Sequence, residues 1–152
     1  MPLLGIISDT HGLLRPEAVE ALRGVDRILH AGDVGGDGIL RELAKLAPVT
    51  AVRGNMDKGD FGSTLPATEA VEVGGAWFYI IHDLETLDLN PSAAGFHAVV
   101  FGHTHLPEIR NTDGVRYINP GSAGPERPGK PVTVAVAEVE GGVVRPRIVR
   151  LL

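Results

Sequence analysis

Short apolar runs closed by glycine or polar turns recur along the whole chain. Leu3 to Ser8 is apolar almost throughout and stops at Asp9, the pattern of a strand buried on both faces. Pro16 to Arg23 predicts a helix, with Pro16 suited to the first helical position, Val19 and Leu22 on one face, and Gly24 as the stop. Arg27 to His30 is a second strand, leading to Gly32-Asp33. Ile39, Leu43, Leu46 and Ala47 then recur at helical spacing until Pro48, and Val49 to Val52 is a third strand, leading to Gly54-Asn55. This βαβαβ alternation predicts a mostly parallel sheet with right-handed crossovers.

The second half changes period. Ala67 to Val73 and Trp77 to Ile81 flank Gly74-Gly75, and Val132 to Val139 and Val143 to Val149 flank Gly141-Gly142, which are two hairpin signals. Between them Ala98 to Phe101 stops at Gly102-His103, and Val115 to Ile118 stops at Asn119-Pro120-Gly121-Ser122. In the 132 to 137 run Val alternates with Thr or Ala, so neither face is strongly polar and the strand belongs inside a stack of sheets. Pro146 consigns the last strand to an edge. The predicted fold is α/β: a four-layer α/β/β/α sandwich of two mixed β-sheets flanked by helices, over residues 1–152 as a single domain.

Composition narrows the chemistry. With 152 residues there is no room for a second sizeable core, and 43% apolar with 22% charged residues is the balance of a folded chain. There is no cysteine, so thiolate catalysis and sulfur-ligated zinc are excluded, and any metal must be held by nitrogen and oxygen. The net charge is -5 and the basic residues are scattered, which argues against a reader of duplex nucleic acid. No apolar run reaches the roughly 18 residues of a membrane span, and Met1-Pro2-Leu3-Leu4 lacks the charged start of a signal peptide. The expectation is a cytoplasmic protein with no membrane association.

Five apolar runs lead to a side chain able to ligate a metal: Asp9, Asp33, Asn55, His82 and His103. Strands of an α/β sheet present ligands at their carboxyl ends, so these five are placed to converge. His11 and His105 lie two residues beyond the first and last of them, where alternate side chains share a face. Singly, Asp9-Thr10-His11, Gly32-Asp33 and Gly54-Asn55 are ordinary turn sequences, and it is the joint pattern that points to chemistry. His30 and His97 read as structural, Arg53 and Arg127 as surface arginines, and Asp57 as an anchor for the Asn55 loop.

In order, Asp9-Thr10-His11, Gly32-Asp33, Gly54-Asn55-Met56-Asp57, His82 and Gly102-His103-Thr104-His105 resemble the motif series of the calcineurin-like metallophosphoesterase superfamily. With Asn119-Pro120-Gly121-Ser122 and this length, the chain is most similar to the small single-domain phosphodiesterase branch of bacteria and archaea. The resemblance implies a dinuclear metal site at the carboxyl ends of the strands, one ion held by Asp9, His11 and His105, a second by Asn55, His82 and His103, with Asp33 bridging. The cofactors implied are two divalent ions, manganese first, with Fe, Zn, Ni or Co as competitors for the same nitrogen and oxygen donors. Two such ions, two carboxylates and a bridging hydroxide leave roughly +1, which attracts a phosphodiester despite the acidic chain.

Two departures from the broader family bear on this. Many members carry His after the Asn, placed to protonate the leaving group, where this chain has Met56. General-acid help is typically worth about 10²–10⁴-fold, so diesters with acidic leaving groups are the expected substrates. The branch shares that loss. His82 is followed by Asp83 and a short connection from Leu84 to Phe96 containing Pro91, instead of Gly and a longer helical stretch. Asp83 either holds an imidazole or sits in solvent.

The implied function is a metal-dependent phosphodiesterase in which a metal-bridging hydroxide attacks phosphorus, with Asp33, Asn55 and His103 as catalytic residues and a small-molecule or nucleotide phosphoester as substrate. The alternatives are a phosphomonoesterase, acting on nucleotides or proteins through the same two-metal site, and a non-catalytic interaction scaffold of the same fold, as the retromer scaffold subunit exemplifies. A complete set of seven ligating residues separates the enzyme readings from the scaffold. A homo-oligomer stays open, since the apolar hairpins could leave a sheet edge for a second copy to cover.

Overall fold

The computed structural model describes residues 2–152. In chain order the elements are β1 (Leu3–Ile7), α1 (Pro16–Ala21), β2 (Arg27–His30), α2 (Asp37–Ala44), β3 (Val49–Ala51), α3 (Gly59–Ser63), β4 (Thr68–Val73) and β5 (Ala76–Ile81). A single 3-10 turn at Leu84–Thr86 precedes β6 (Ala98–Val100), β7 (Glu108–Thr112), β8 (Val115–Asn119), β9 (Thr133–Glu140) and β10 (Val143–Arg150). The strands form two five-stranded sheets, β10-β9-β1-β2-β3 and β4-β5-β6-β8-β7. In the first, β1, β2 and β3 are parallel, β9 runs against them, and the edge strand β10 runs against β9. The second has parallel β5, β6 and β8 between the antiparallel edge strands β4 and β7.

Alternation along each central strand explains the stack. Leu4 and Ile6 of β1 and Ala135, Ala137 and Val139 of β9 face the second sheet, where they meet Phe78, Ile80 and Val100. On the other face, Ile7, Val134 and Val136 meet Ala18, Leu22, Ile39 and Leu43 on and beside α1 and α2. Phe78 is fully buried between the sheets, a placement that stabilises by about 1.5–3 kcal/mol. As the sequence predicts, β9 is buried on both sides and Pro146 lies in the edge strand β10.

The helical layer is uneven. Helices α1 and α2 cover the first sheet, and Phe61 of α3 packs on the same side. On the outer face of the second sheet, Tyr79, Ile81, Val99 and Phe101 pack with Leu84, Leu87 and Phe96 of the 84–96 segment and with Val115 and Tyr117. That segment holds one 3-10 turn and no α-helix, because Asn90-Pro91 and Gly95 interrupt any helical run. The second helix also ends earlier than its apolar spacing predicts, at Ala44, with Leu46 and Ala47 in the turn that follows. Helix α3 and strand β7 carry little apolar periodicity, and the sequence pattern passed over both.

Candidate functional site

The carboxyl ends of β1, β2 and β3 in one sheet meet those of β5 and β6 in the other, and all seven residues singled out in the sequence gather there. His11 Nε2 is 3.6 Å from Asp9 Oδ1 and 3.7 Å from Asp33 Oδ2. His105 Nε2 lies 3.5 Å from Asp9 Oδ1, and His82 Nε2 lies 3.3 Å from Asp33 Oδ2. Asn55 Oδ1 is 3.0 Å from His82 Nε2 and 3.3 Å from His103 Nδ1. Two groups of donor atoms, Asp9 with His11 and His105, and Asp9 with Asp33 and His82, each fall within 4.8 Å of one another.

The backbone that presents these groups is unusual. Asp9, His11, Asp33, His103 and His105 all have positive φ, between 48° and 72°, a region non-glycine residues enter at a cost. Surrounding hydrogen bonds hold them there. Asp9 N–H and His11 N–H donate to the carbonyls of Gly32 and Asp33, which stitches the first loop to the second. Asp57 accepts from the N–H groups of Val34, Gly35 and Gly54, tying the second loop to the third. It is the anchor the sequence predicts. Gly102 packs where a Cβ would strike Ser8 and Asp9, so only glycine lets the end of β6 come close enough to deliver His103.

Neighbours orient each ligand atom. Ser8 Oγ and His103 N–H both donate to Asp9 Oδ2, leaving Oδ1 turned to the histidines. Met56 N–H donates to Asp33 Oδ1, leaving Oδ2 turned inward. His82 Nδ1 lies 2.7 Å from the Ala31 carbonyl, which can only accept, so Nδ1 carries the proton. In the neutral ring Nε2 then points a lone pair at two oxygens, Asp33 Oδ2 and Asn55 Oδ1. An electron-rich meeting of this kind requires a cation, either an added proton or a metal.

Two further observations agree. Four buried side-chain atoms lack a hydrogen-bond partner among the described residues, and three of them, Asp9 Oδ1, His11 Nε2 and His105 Nδ1, lie in this cluster. The balance of charge and burial in the site points the same way. Burial opposes charge on His82, yet the Asp33 carboxylate, with Asp9 behind it, holds the ring above the ordinary histidine value. Burial also opposes charge on Asp9 and Asp33, yet the surrounding imidazoles, with Ser8 and the Met56 N–H, hold both carboxyls below the usual range. The donor set is nitrogen and oxygen throughout, which fits borderline divalent cations.

The residues read as structural are so placed. His30 is fully buried beneath Asp9, its Nδ1 accepting from Gly32 N–H and its Nε2 donating to Thr10 Oγ1, which in turn donates to the Val34 carbonyl. His97 Nδ1 accepts from Trp77 N–H, and Arg53 donates to the Leu65 carbonyl beside α3. Asp83 lies 3.9 Å from His103 Nε2 while its Oδ1 caps the 3-10 turn. Sequence reasoning gave no role to Ser8 or Asn119. Asn119 donates to the Gly102 carbonyl and to Thr104 Oγ1, fixing the turn that carries His103 and His105, and a lone amide closing a buried strand is the signal that was available.

A scan of protein families matches residues 3–142 to the calcineurin-like phosphoesterase superfamily domain, and the chain belongs to that family. It is 38% identical over 160 residues to a probable metallophosphoesterase of Methanothermobacter thermautotrophicus, covering 97% of this chain and 92% of the relative. A solved structure described as a novel archaeal phosphodiesterase superposes with a TM-score of 0.78 at 26% identity, over 97% of this chain and 99% of that one. The zinc complex of Vps29 from Entamoeba histolytica superposes with a TM-score of 0.77 at 21% identity over 99% of each chain, a likeness of fold. The protein is therefore a metal-dependent phosphoester hydrolase, built on the two mixed sheets its sequence predicts.

Proposed function

We propose that the protein is a phosphodiesterase whose centre holds two divalent ions, Asp9, His11 and His105 binding one, Asn55, His82 and His103 the other, and Asp33 both. The observation that carries this reading is the convergence of His82 Nε2, Asp33 Oδ2 and Asn55 Oδ1 beside the unpartnered atoms of Asp9, His11 and His105. Bound there, two divalent ions would supply Lewis acidity and an acidified water at neutral pH. Manganese heads the candidates and Fe, Zn, Ni and Co share its donor preference.

The protein's own groups do the rest. Ser8 and the backbone of His103 and Met56 fix which oxygen of each carboxylate faces the centre, so little reorganisation is left for the reaction. Asn55 and His103 are the exposed members of the seven, and their side-chain N–H groups are the ones an incoming phosphoryl oxygen meets. Met56 is 59% exposed over the same opening and has no proton to give. A leaving group must then depart as its oxyanion, which favours diesters of acidic alcohols over alkyl monoesters. The archaeal phosphodiesterase and the probable metallophosphoesterase support this reading by likeness.

The test is turnover of bis(p-nitrophenyl) phosphate by chelator-stripped protein as Mn²⁺ is titrated back, with Asp33→Asn alongside. Turnover should return with metal, and the variant should lose about 10³-fold or more, since it removes a charge from both halves of the centre. Binding of two metals without diester turnover would move the substrate to a monoester. Absence of both would favour a scaffold.

A further inference from the structure

Two cavities open onto the centre and meet at Asn55. The smaller, about 310 Å³, lies over His11, Asp33, His103 and His105, and its only lining residues outside the seven ligating candidates are Met56 and Arg127. The larger, about 450 Å³, runs from Asn55 and His82 along β5 past Tyr79 and Thr68 to Asp83 and Asp88. Outside the ligating candidates their charged side chains differ: Arg127 alone in the smaller, Asp83 and Asp88 with Arg53 in the larger. In the smaller cavity Arg127 makes no side-chain hydrogen bond or ion pair to another described residue. Lys130, three residues on, is tethered by its Nζ to the Thr104 carbonyl. In the larger cavity two carboxylates line the wall. Arg53 borders it too, but its Nη1 is turned to the Leu65 carbonyl. Tyr79, Thr68 and Thr86 add an aromatic face and hydroxyls.

A phosphodiester has two arms, and two cavities of unlike lining give each arm a different seat. We infer, resting on the phosphodiesterase reading, that the substrate is unsymmetrical: an uncharged, ring-bearing arm departs from the Tyr79–Asp88 cleft, and the other arm carries a second anionic group met by Arg127. The oxygen of water goes to phosphorus, its protons pass to solvent, the P–O bond to the ring breaks, and the ring arm leaves as its oxyanion. The product is a phosphomonoester that keeps the anionic arm. A fork of guanidinium N–H groups suits a phosphate or carboxylate on that arm, and the cleft carboxylates repel any anion on the leaving ring.

The experiment compares p-nitrophenyl diesters whose second arm is propyl or 3-phosphopropyl, together with a propyl diester whose nitrophenyl ring bears a carboxylate, at low ionic strength. Arg127→Gln should lose about 5- to 10-fold in kcat/KM on the phosphopropyl diester and keep its rate on the propyl one. Asp88→Asn should gain about two- to fourfold on the carboxylate-bearing ring alone. Unchanged ratios in either variant, with turnover of the simple propyl diester intact, overturn the inference and leave the phosphodiesterase standing. Loss of all diester turnover in the wild-type, metal-loaded protein overturns both.

Discussion

The two halves of the proposed metal centre are built to different plans. Around Asp9, His11 and His105 the groups are largely buried and three side-chain atoms have no partner. Around Asn55, His82 and His103 the groups already touch one another, and Asn55 and His103 are exposed. The first half is held by left-handed turns and by backbone hydrogen bonds between loops. The second half stands at the mouth where both cavities open, and its amide oxygen lies against two imidazoles. An ion should therefore bind more tightly to the first half, and substrate selection should belong to the second.

The sharpest break of that comparison is Asp9→Asn against Asn55→Ala. Losing Asp9 removes the only carboxylate oxygen shared by His11 and His105, and should empty the first half and lower turnover by about 10³-fold. Losing Asn55 should leave one tightly held ion by elemental analysis and lower turnover about 10²-fold. Equal metal contents in the two variants would show that the halves do not differ.

Asp57→Asn tests the scaffold under both halves without touching either. Three backbone N–H groups from two loops converge on this carboxylate, so its loss should weaken metal binding about 10- to 100-fold, read by competition with a chelator. Met56→His sharpens the comparison at the mouth. An imidazole over the opening should raise turnover of an alkyl phosphomonoester by about tenfold or more while the aryl diester changes little. A uniform loss on both substrates would count against the missing-proton account of Met56.

The smallest effect concerns the floor of the buried half. Complete burial pushes His30 down to about 4, well below its unfolded value. The unfolded chain then binds more protons between about pH 6.5 and pH 4, so His30 makes the protein lose stability as pH falls through that window, by up to roughly 3 kcal/mol. Urea unfolding of the metal-free protein at pH 7 and pH 4.5 should show a smaller drop for His30→Asn than for wild type. The same drop in both would assign the acid sensitivity elsewhere.

Much of this was legible in the chain. The parallel run of β1, β2 and β3, the buried character of β9 and the edge position of Pro146 follow from local alternation and turn residues, because each depends on neighbours in sequence. The seven site residues were legible because strands of such a sheet all deliver their following residue to one rim. The pattern could not show α3, whose five residues Gly59–Ser63 carry no apolar stripe, nor the exposed edge strand β7, where burial imposes no alternation. Nor could it show the thin outer cover of the second sheet, since how much of a face a 13-residue connection hides depends on where its leucines land.

The sequence by itself determined the repeating apolar runs, the glycines at their ends and the identities of the groups able to hold a metal, since these are set by periodicity and chemical type. Only the tertiary structure decided which atoms face which. Distances between Asp9, Asn55 and His103 join loops up to 94 residues apart. The left-handed backbone at five of the seven positions is held by partners from other loops, so no local preference announces it. The lining of each cavity was decided the same way: Arg127 and Asp88 are unremarkable polar residues until the two sheets meet and place one on each side of Asn55.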